Sequence, residues 1–213
     1  MEFDSKKINE GISDYVAIHF LAKKTNFAVP EFKKLFNRYY KLRQKTAQWY
    51  NDFYNAFVNY RRTPKSFEDL LISLYKKTKE IHPSFCSKII HTLNPNKPIW
   101  DKYVLQWLGI VLNDPKDPYE RIHYYATIYN QIEKEYKEHL NDENVVEAFK
   151  RFDNEIIIPK GEQKIFDLDY FVPESFEISS IKKLDFMLWS NRSDRTVSIL
   201  DYNKLLDSIK NNR

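Results

Sequence analysis

Lys88 and Asp101, on either side of a short proline-rich stretch, have the side-chain types and the setting for chemistry at a sugar carbon. The segment around them reads FCSKIIHTLNPNKPIWDKYVLQWLG, from Phe85 to Gly109. Pro83 and Ser84 open a short helix bearing Lys88, Asn94-Pro95-Asn96-Lys97-Pro98 cannot continue it, and helical spacing resumes at Ile99. An Asp in the first turn of a helix lies beside unpaired backbone N–H groups and a positive dipole end, which favour its ionised form. A Lys reaching it across the loop can attack as an amine if partly desolvated, and the carboxylate can stabilise positive charge on a sugar ring. His91 follows Lys88 by three residues and shares its helix face, so it could border the same cleft. Trp100, Tyr103 and Trp107 are the rings placed to line it. The competing reading is plain: an exposed lysine, a helix-capping aspartate and packing aromatics.

The order of a Lys-bearing helix, a turn, and the helix start Ile99-Trp100-Asp101-Lys102-Tyr103-Val104 resembles the core of the helix-hairpin-helix DNA glycosylase superfamily. The likeness covers about residues 84–109 and is similar to a pattern in uncharacterised bacterial proteins, which points to a degenerate branch. It implies that Lys88 is a Schiff-base nucleophile and that Asp101 is the carboxylate assisting base loss. It also implies a flipped base in a pocket bordered by His91, Trp100, Tyr103 and Trp107, with double-stranded DNA as partner and DNA repair as the setting. Two departures stand out. The family's Gly-x-Gly hairpin grips a phosphate through backbone N–H groups, whereas this chain has Ile81-His82-Pro83-Ser84-Phe85-Cys86 there. An iron–sulfur cysteine loop cannot be built from the single Cys86.

Composition removes other classes. The 3 glycines, Gly11, Gly109 and Gly161, stand too far apart for a phosphate loop or a dinucleotide fingerprint. One cysteine excludes a disulfide framework and a multi-cysteine zinc site, and Cys86 reads as a buried, inert thiol. Of the five histidines, none forms a zinc-hydrolase pair, so no metal or other cofactor is expected. The N-terminus, MEFDSKKINEG, has no apolar signal core and no run is long enough for a membrane span, so a cytoplasmic protein is expected. The net charge of +4 comes from 34 basic residues mingled with 30 acidic ones, which permits nucleic-acid binding without demanding it.

The elements that must position Lys88 and Asp101 read as helices. The first thirty residues are amphipathic and end at Pro30. From Glu31 to Val58 apolar residues recur three and four apart, a helical stripe broken at Arg61-Arg62-Thr63-Pro64. Ser66 with Asp69 caps the next helix, Gly109 ends the one after the proline loop, and Asp117-Pro118 with Glu120 starts a long one reaching about Leu140. A further helix covers roughly residues 143–152. Ile156-Ile157-Ile158, a Pro-Lys-Gly-Glu turn and Ile165-Phe166 then suggest a small hairpin or irregular strip within 155–176. Helical spacing returns at Ser180, where Asp185 is available for a salt bridge or an Arg contact, and a last helix is expected near Tyr202 to Ile209.

The expected fold is all-α with about nine helices, in one domain over residues 1–213, as two helical lobes around a cleft. The leading function is DNA processing or binding of DNA-glycosylase type. The alternative is a non-enzymatic helical interaction or regulatory module, with an exposed aromatic patch and binding independent of Lys88 and Asp101.

Overall fold

A computed structural model describes residues 1–25, 27 and 29–191. The helix expected near Tyr202 to Ile209 lies outside the described residues. Among them are nine helices and one two-stranded sheet, so the protein is mainly α-helical, with its small hairpin in the expected stretch.

The helices begin and end where local chemistry satisfies their unpaired backbone groups. Helix α1 spans Ser5–Thr25, α2 Pro30–Tyr39 and α3 Ala47–Arg62. The apolar stripe over residues 31–58 therefore belongs to two helices rather than one. Lys41 takes a left-handed conformation, φ 57°, and the Leu42 N–H bonds the Asn37 carbonyl at 3.0 Å, closing α2 with a Schellman turn. Thr46 then caps α3 by accepting from the Trp49 N–H. Hydrophobic spacing alone could not reveal this break, because Tyr40 and Leu42 remain buried through it.

Helix α4 spans Phe67–Thr78 with Ser66 as its cap, α5 Pro83–Leu93 and α6 Lys102–Trp107. Gly109, φ 65°, closes α6 with a second Schellman turn through the Ile110 N–H on the Leu105 carbonyl, 2.8 Å. Helix α7 spans Pro118–His139, with Asp117 accepting from the Tyr119 and Glu120 N–H groups, and α8 spans Glu143–Glu155. Strands β1 (Gly161–Ile165) and β2 (Leu168–Val172) pair antiparallel, Gly161 opposite Val172. The expected Pro-Lys-Gly-Glu turn thus leads into β1, and Ile156 to Ile158 form no strand. The tight turn is Phe166-Asp167, with Phe166 at φ 52°. Helix α9 spans Ser180–Ser190.

Helix α1 is the hub, packing on α2, α5, α9 and β2, while α6 packs on α9 and α4 on α7. The aromatic richness goes largely into packing between helices. Phe27, Phe32, Phe36, Phe53, Tyr54 and Phe57 form one nest between α2 and α3, with Phe36 and Phe57 centred 5.1 Å apart at 87°.

Candidate functional site

The connector between α5 and α6 fixes the distance between Lys88 and Asp101, and each of its turns is bolted to a helix. The His91 ring, completely buried on α5, meets the Lys97 carbonyl through Nδ1 at 2.6 Å. A carbonyl only accepts, so Nδ1 carries the proton and Nε2 accepts from the Tyr15 hydroxyl at 3.3 Å. The Tyr129 hydroxyl donates to the Pro98 carbonyl, 2.9 Å, and the Trp100 N–H donates to Ser87 Oγ, 2.9 Å. From α9 the Ser179 hydroxyl donates to the Pro95 carbonyl, 2.7 Å, while accepting from the Lys182 N–H to cap its own helix. The chain emerges at Asp101, whose Oδ1 accepts from the Tyr103 N–H at 2.9 Å and caps α6.

These elements enclose a cavity of about 630 Å³ between α1, α2, α5, α6 and α9. That is ample for a drug-sized molecule. Lys88, Asp101, Lys182 and Asp185 all line it. Rings of Tyr39, Tyr40, Tyr103 and Phe186 form much of the wall, and Lys7, Arg38, Lys41 and Lys102 also contribute to the lining. Arg38 is held by Asp14 at 2.9 Å, whereas Lys41 and Lys102 are exposed.

Lys88 is only 8% exposed. Its Nζ donates to Ser84 Oγ at 3.0 Å and lies over the rings of Tyr40 and Phe85, 5.4 and 5.3 Å from their centres. Among the described residues no carboxylate pairs with it directly. Burial lowers its pKa to about 8; the Asp101 carboxylate opposes that shift and the Lys182 ammonium adds to it. At neutral pH such an amine is free in roughly a tenth of molecules, orders of magnitude above an ordinary lysine.

Lys182 and Asp185 stand one turn apart on α9, 4% and 6% exposed. Lys182 Nζ sits over the rings of Tyr15 (4.8 Å) and Phe186 (4.4 Å), and burial drives its pKa down against the pull of Asp185 and Asp101. Burial drives the Asp185 carboxyl up, opposed by Lys182 and by the Tyr136 hydroxyl, which donates to Oδ1 at 2.6 Å. Asp185 Oδ2 is buried and meets no partner in hydrogen-bond geometry, although the Ile99 backbone lies close enough to the carboxyl to favour its ionised form.

Of the six residues expected at the site, Lys88, Asp101 and Tyr103 line this cavity; His91, Trp100 and Trp107 do not. His91 is spent on anchoring the connector. Trp100 is 4% exposed and stacks parallel to Phe67, 6.4 Å between centres, while its backbone N–H is held by Ser87. Trp107, one turn beyond Tyr103, packs on Tyr136 and His139 at the end of α7. Sequence reading missed Lys182 altogether and gave Asp185 only a salt bridge or an Arg contact. The usable signal was a helix with three charges among buried apolar residues, Ile181, Leu184, Phe186 and Met187; Lys183 pairs with Asp153, and Lys182 and Asp185 are buried with the apolar set.

Among the described residues no group of three or more His, Cys, Asp or Glu side chains could hold a metal ion, and no helix is long and apolar enough to cross a membrane. Burial pushes the Cys86 thiol up and leaves it a poor nucleophile. No protein-family model matches this chain, and no curated protein or solved structure matches it either.

Proposed function

We propose that the cavity is the active site of a DNA-glycosylase-type enzyme, in which Lys88 is the nucleophile and Asp101 the stabilising carboxylate. One observation carries the reading. A desolvated amine, free of any direct ion pair among the described residues, lines the same cavity as a carboxylate fixed at a helix start.

The chemistry follows from that pair. A target nucleotide leaves its stack and enters the cavity, where the aromatic rings replace the lost stacking. The C1′–N glycosidic bond breaks, the base departs with the bonding electrons, and Asp101 stabilises the positive charge that develops on the sugar. The Lys88 lone pair forms a bond to C1′; opening of the sugar ring gives an iminium, which water hydrolyses to release the amine. Exposed Lys41 and Lys102 supply charge for phosphates at the mouth, in place of a glycine hairpin.

The test is incubation with damaged and abasic duplexes, with and without borohydride. The expected result is a trapped protein–DNA adduct that Lys88→Ala abolishes, and base release slowed about a hundredfold or more by Asp101→Asn. Absence of base loss, trapping and salt-sensitive DNA binding would end this reading. Exposed Val111, Leu112 and Tyr119, around the start of α7, favour a second reading, a module that docks a protein partner. Binding that survives both substitutions and added salt would select it.

A further inference from the structure

The Lys88/Asp101 chemistry leaves unexplained why a second amine and a second carboxylate are buried in the same cavity. Buried polar atoms in folded proteins nearly always have partners. Neither Asp185 Oδ2 nor Tyr40 Oη makes a bond that meets hydrogen-bond geometry, although the Ile99 backbone lies near the Asp185 carboxyl and Thr92 near Tyr40. Both residues line this cavity. Lys182 Nζ has aromatic faces around it but, among the described residues, no hydrogen bond or ion pair, not even with Asp185 three residues along the helix. Lys182 and Asp185 thus line the same space from one face of α9 without pairing with each other.

The surroundings narrow what would satisfy them. An anion such as phosphate would face the Asp101 and Asp185 carboxylates, and a cationic amine would face Lys88 and Lys182. A neutral molecule offering an acceptor beside a donor meets both groups at once. The rings of Tyr39, Tyr40, Tyr103 and Phe186 in the wall suit a flat one. On a flat heterocycle the strongest acceptor is a carbonyl oxygen, and an ammonium gains most opposite it.

We propose that Lys182 and Asp185 form a recognition subsite for a planar heterocycle carrying an N–H next to a carbonyl. The Lys182 ammonium donates to the carbonyl oxygen, and the Asp185 carboxylate accepts from the ring N–H. The inference rests on reading the cavity as a nucleobase site, and it names the class of base: one with a lactam edge, as in hypoxanthine, rather than the amidine edge of adenine.

Free bases test it, because their binding requires no bond cleavage. Hypoxanthine, 1-methylhypoxanthine and adenine are titrated into the full-length protein at millimolar concentrations and followed by ligand-observed NMR. Hypoxanthine is expected to bind, and blocking its N–H with the methyl group to weaken binding about tenfold or more. Lys182→Met and Asp185→Ala should each weaken hypoxanthine by a similar factor. The comparison of bases on the unaltered protein stands even if either variant fails to fold. Equal binding of hypoxanthine and its methyl derivative, or no binding of either, overturns the subsite; adenine binding as tightly as hypoxanthine overturns the lactam assignment. A lactam preference without base excision from DNA keeps the subsite and sinks the glycosylase reading, and excision without that preference does the reverse.

Discussion

Along the connector from Pro95 to Asp101, the carbonyls of Pro95, Lys97 and Pro98 and the N–H of Trp100 each meet a side chain reaching from α9, α5, α7 and α5 in turn. On α9, Lys182 Nζ makes no hydrogen bond among the described residues, and Asp185 Oδ2 none that meets hydrogen-bond geometry. The connector pairs each of these four backbone groups, whereas α9 leaves a buried ammonium and one carboxylate oxygen unmatched, the Tyr136 hydroxyl holding the other oxygen. The first arrangement spends polar groups on position, so that Asp101 is held at a set place relative to Lys88. The second sacrifices stability where a ligand can recover it, as strained or unsatisfied groups at functional sites do.

The contrast can be broken from the connector side with the largest expected effect. His91→Phe keeps a ring in the space but strands the Lys97 carbonyl and the Tyr15 hydroxyl, at a cost of about 2–4 kcal/mol. For a chain of this size that is a fall of roughly 6 °C or more in melting temperature, read by circular dichroism. The same variant should be less acid-sensitive than the parent. Burial holds the His91 pKa well below 6.5 and the His19 pKa down to about 4, so the unfolded chain takes up protons that the folded one refuses. Their contribution is complete above about pH 6.5 and is lost as the pH falls toward 4. Removing His91 should flatten that limb of the melting curve against pH.

Ser87→Ala is the milder break. It strands the buried Trp100 N–H and should cost about 1–3 kcal/mol, with base release falling as the chain leading into Asp101 loses its anchor. On the α9 side, Lys182→Met should leave the melting temperature unchanged or raise it, because a buried ammonium without a close partner is replaced by an apolar chain of similar length. A drop like that of His91→Phe would show that α9 serves structure as fully as the connector does. The smallest effect sharpens the comparison through pH. Formation of the borohydride-trapped adduct should rise as Lys88 loses its proton around pH 8, and Asp101→Asn should move that midpoint lower, because the carboxylate holds the proton on. Lys182→Met should move it higher, because a neighbouring positive charge is gone. A midpoint indifferent to both would detach Lys88 from the cluster.

The connector wall was legible in the sequence because its signals are local. Pro83, Asn94-Pro95 and Pro98 mark the breaks, Asp101 has the spacing of a cap, and Gly109 falls where α6 needs a left-handed residue. Asp117-Pro118 and Ser66 were readable for the same reason. The α9 wall was not, since nothing within residues 180–190 tells that Lys182 turns inward toward Tyr15, more than 160 positions earlier in the chain. Orientation of rings escaped for a related reason. Trp100 and Trp107 flank Asp101 and Tyr103 in sequence, but which of them meets the cavity depends on Phe67 and Tyr136, on other helices. The break at Tyr40 to Thr46 was hidden because its left-handed residues, Lys41 and Gln44, are not glycines.

The cavity's lining begins at Lys7 and ends at Trp189, and no single hairpin or pair of neighbouring helices could assemble it. Occupancy is therefore tied to completion of the whole fold rather than to any part of it. A molecule that fits there would act as a clasp, raising the temperature at which every helix melts in proportion to the logarithm of its concentration. Cutting the chain ahead of α9 would abolish the binding and the added heat resistance together.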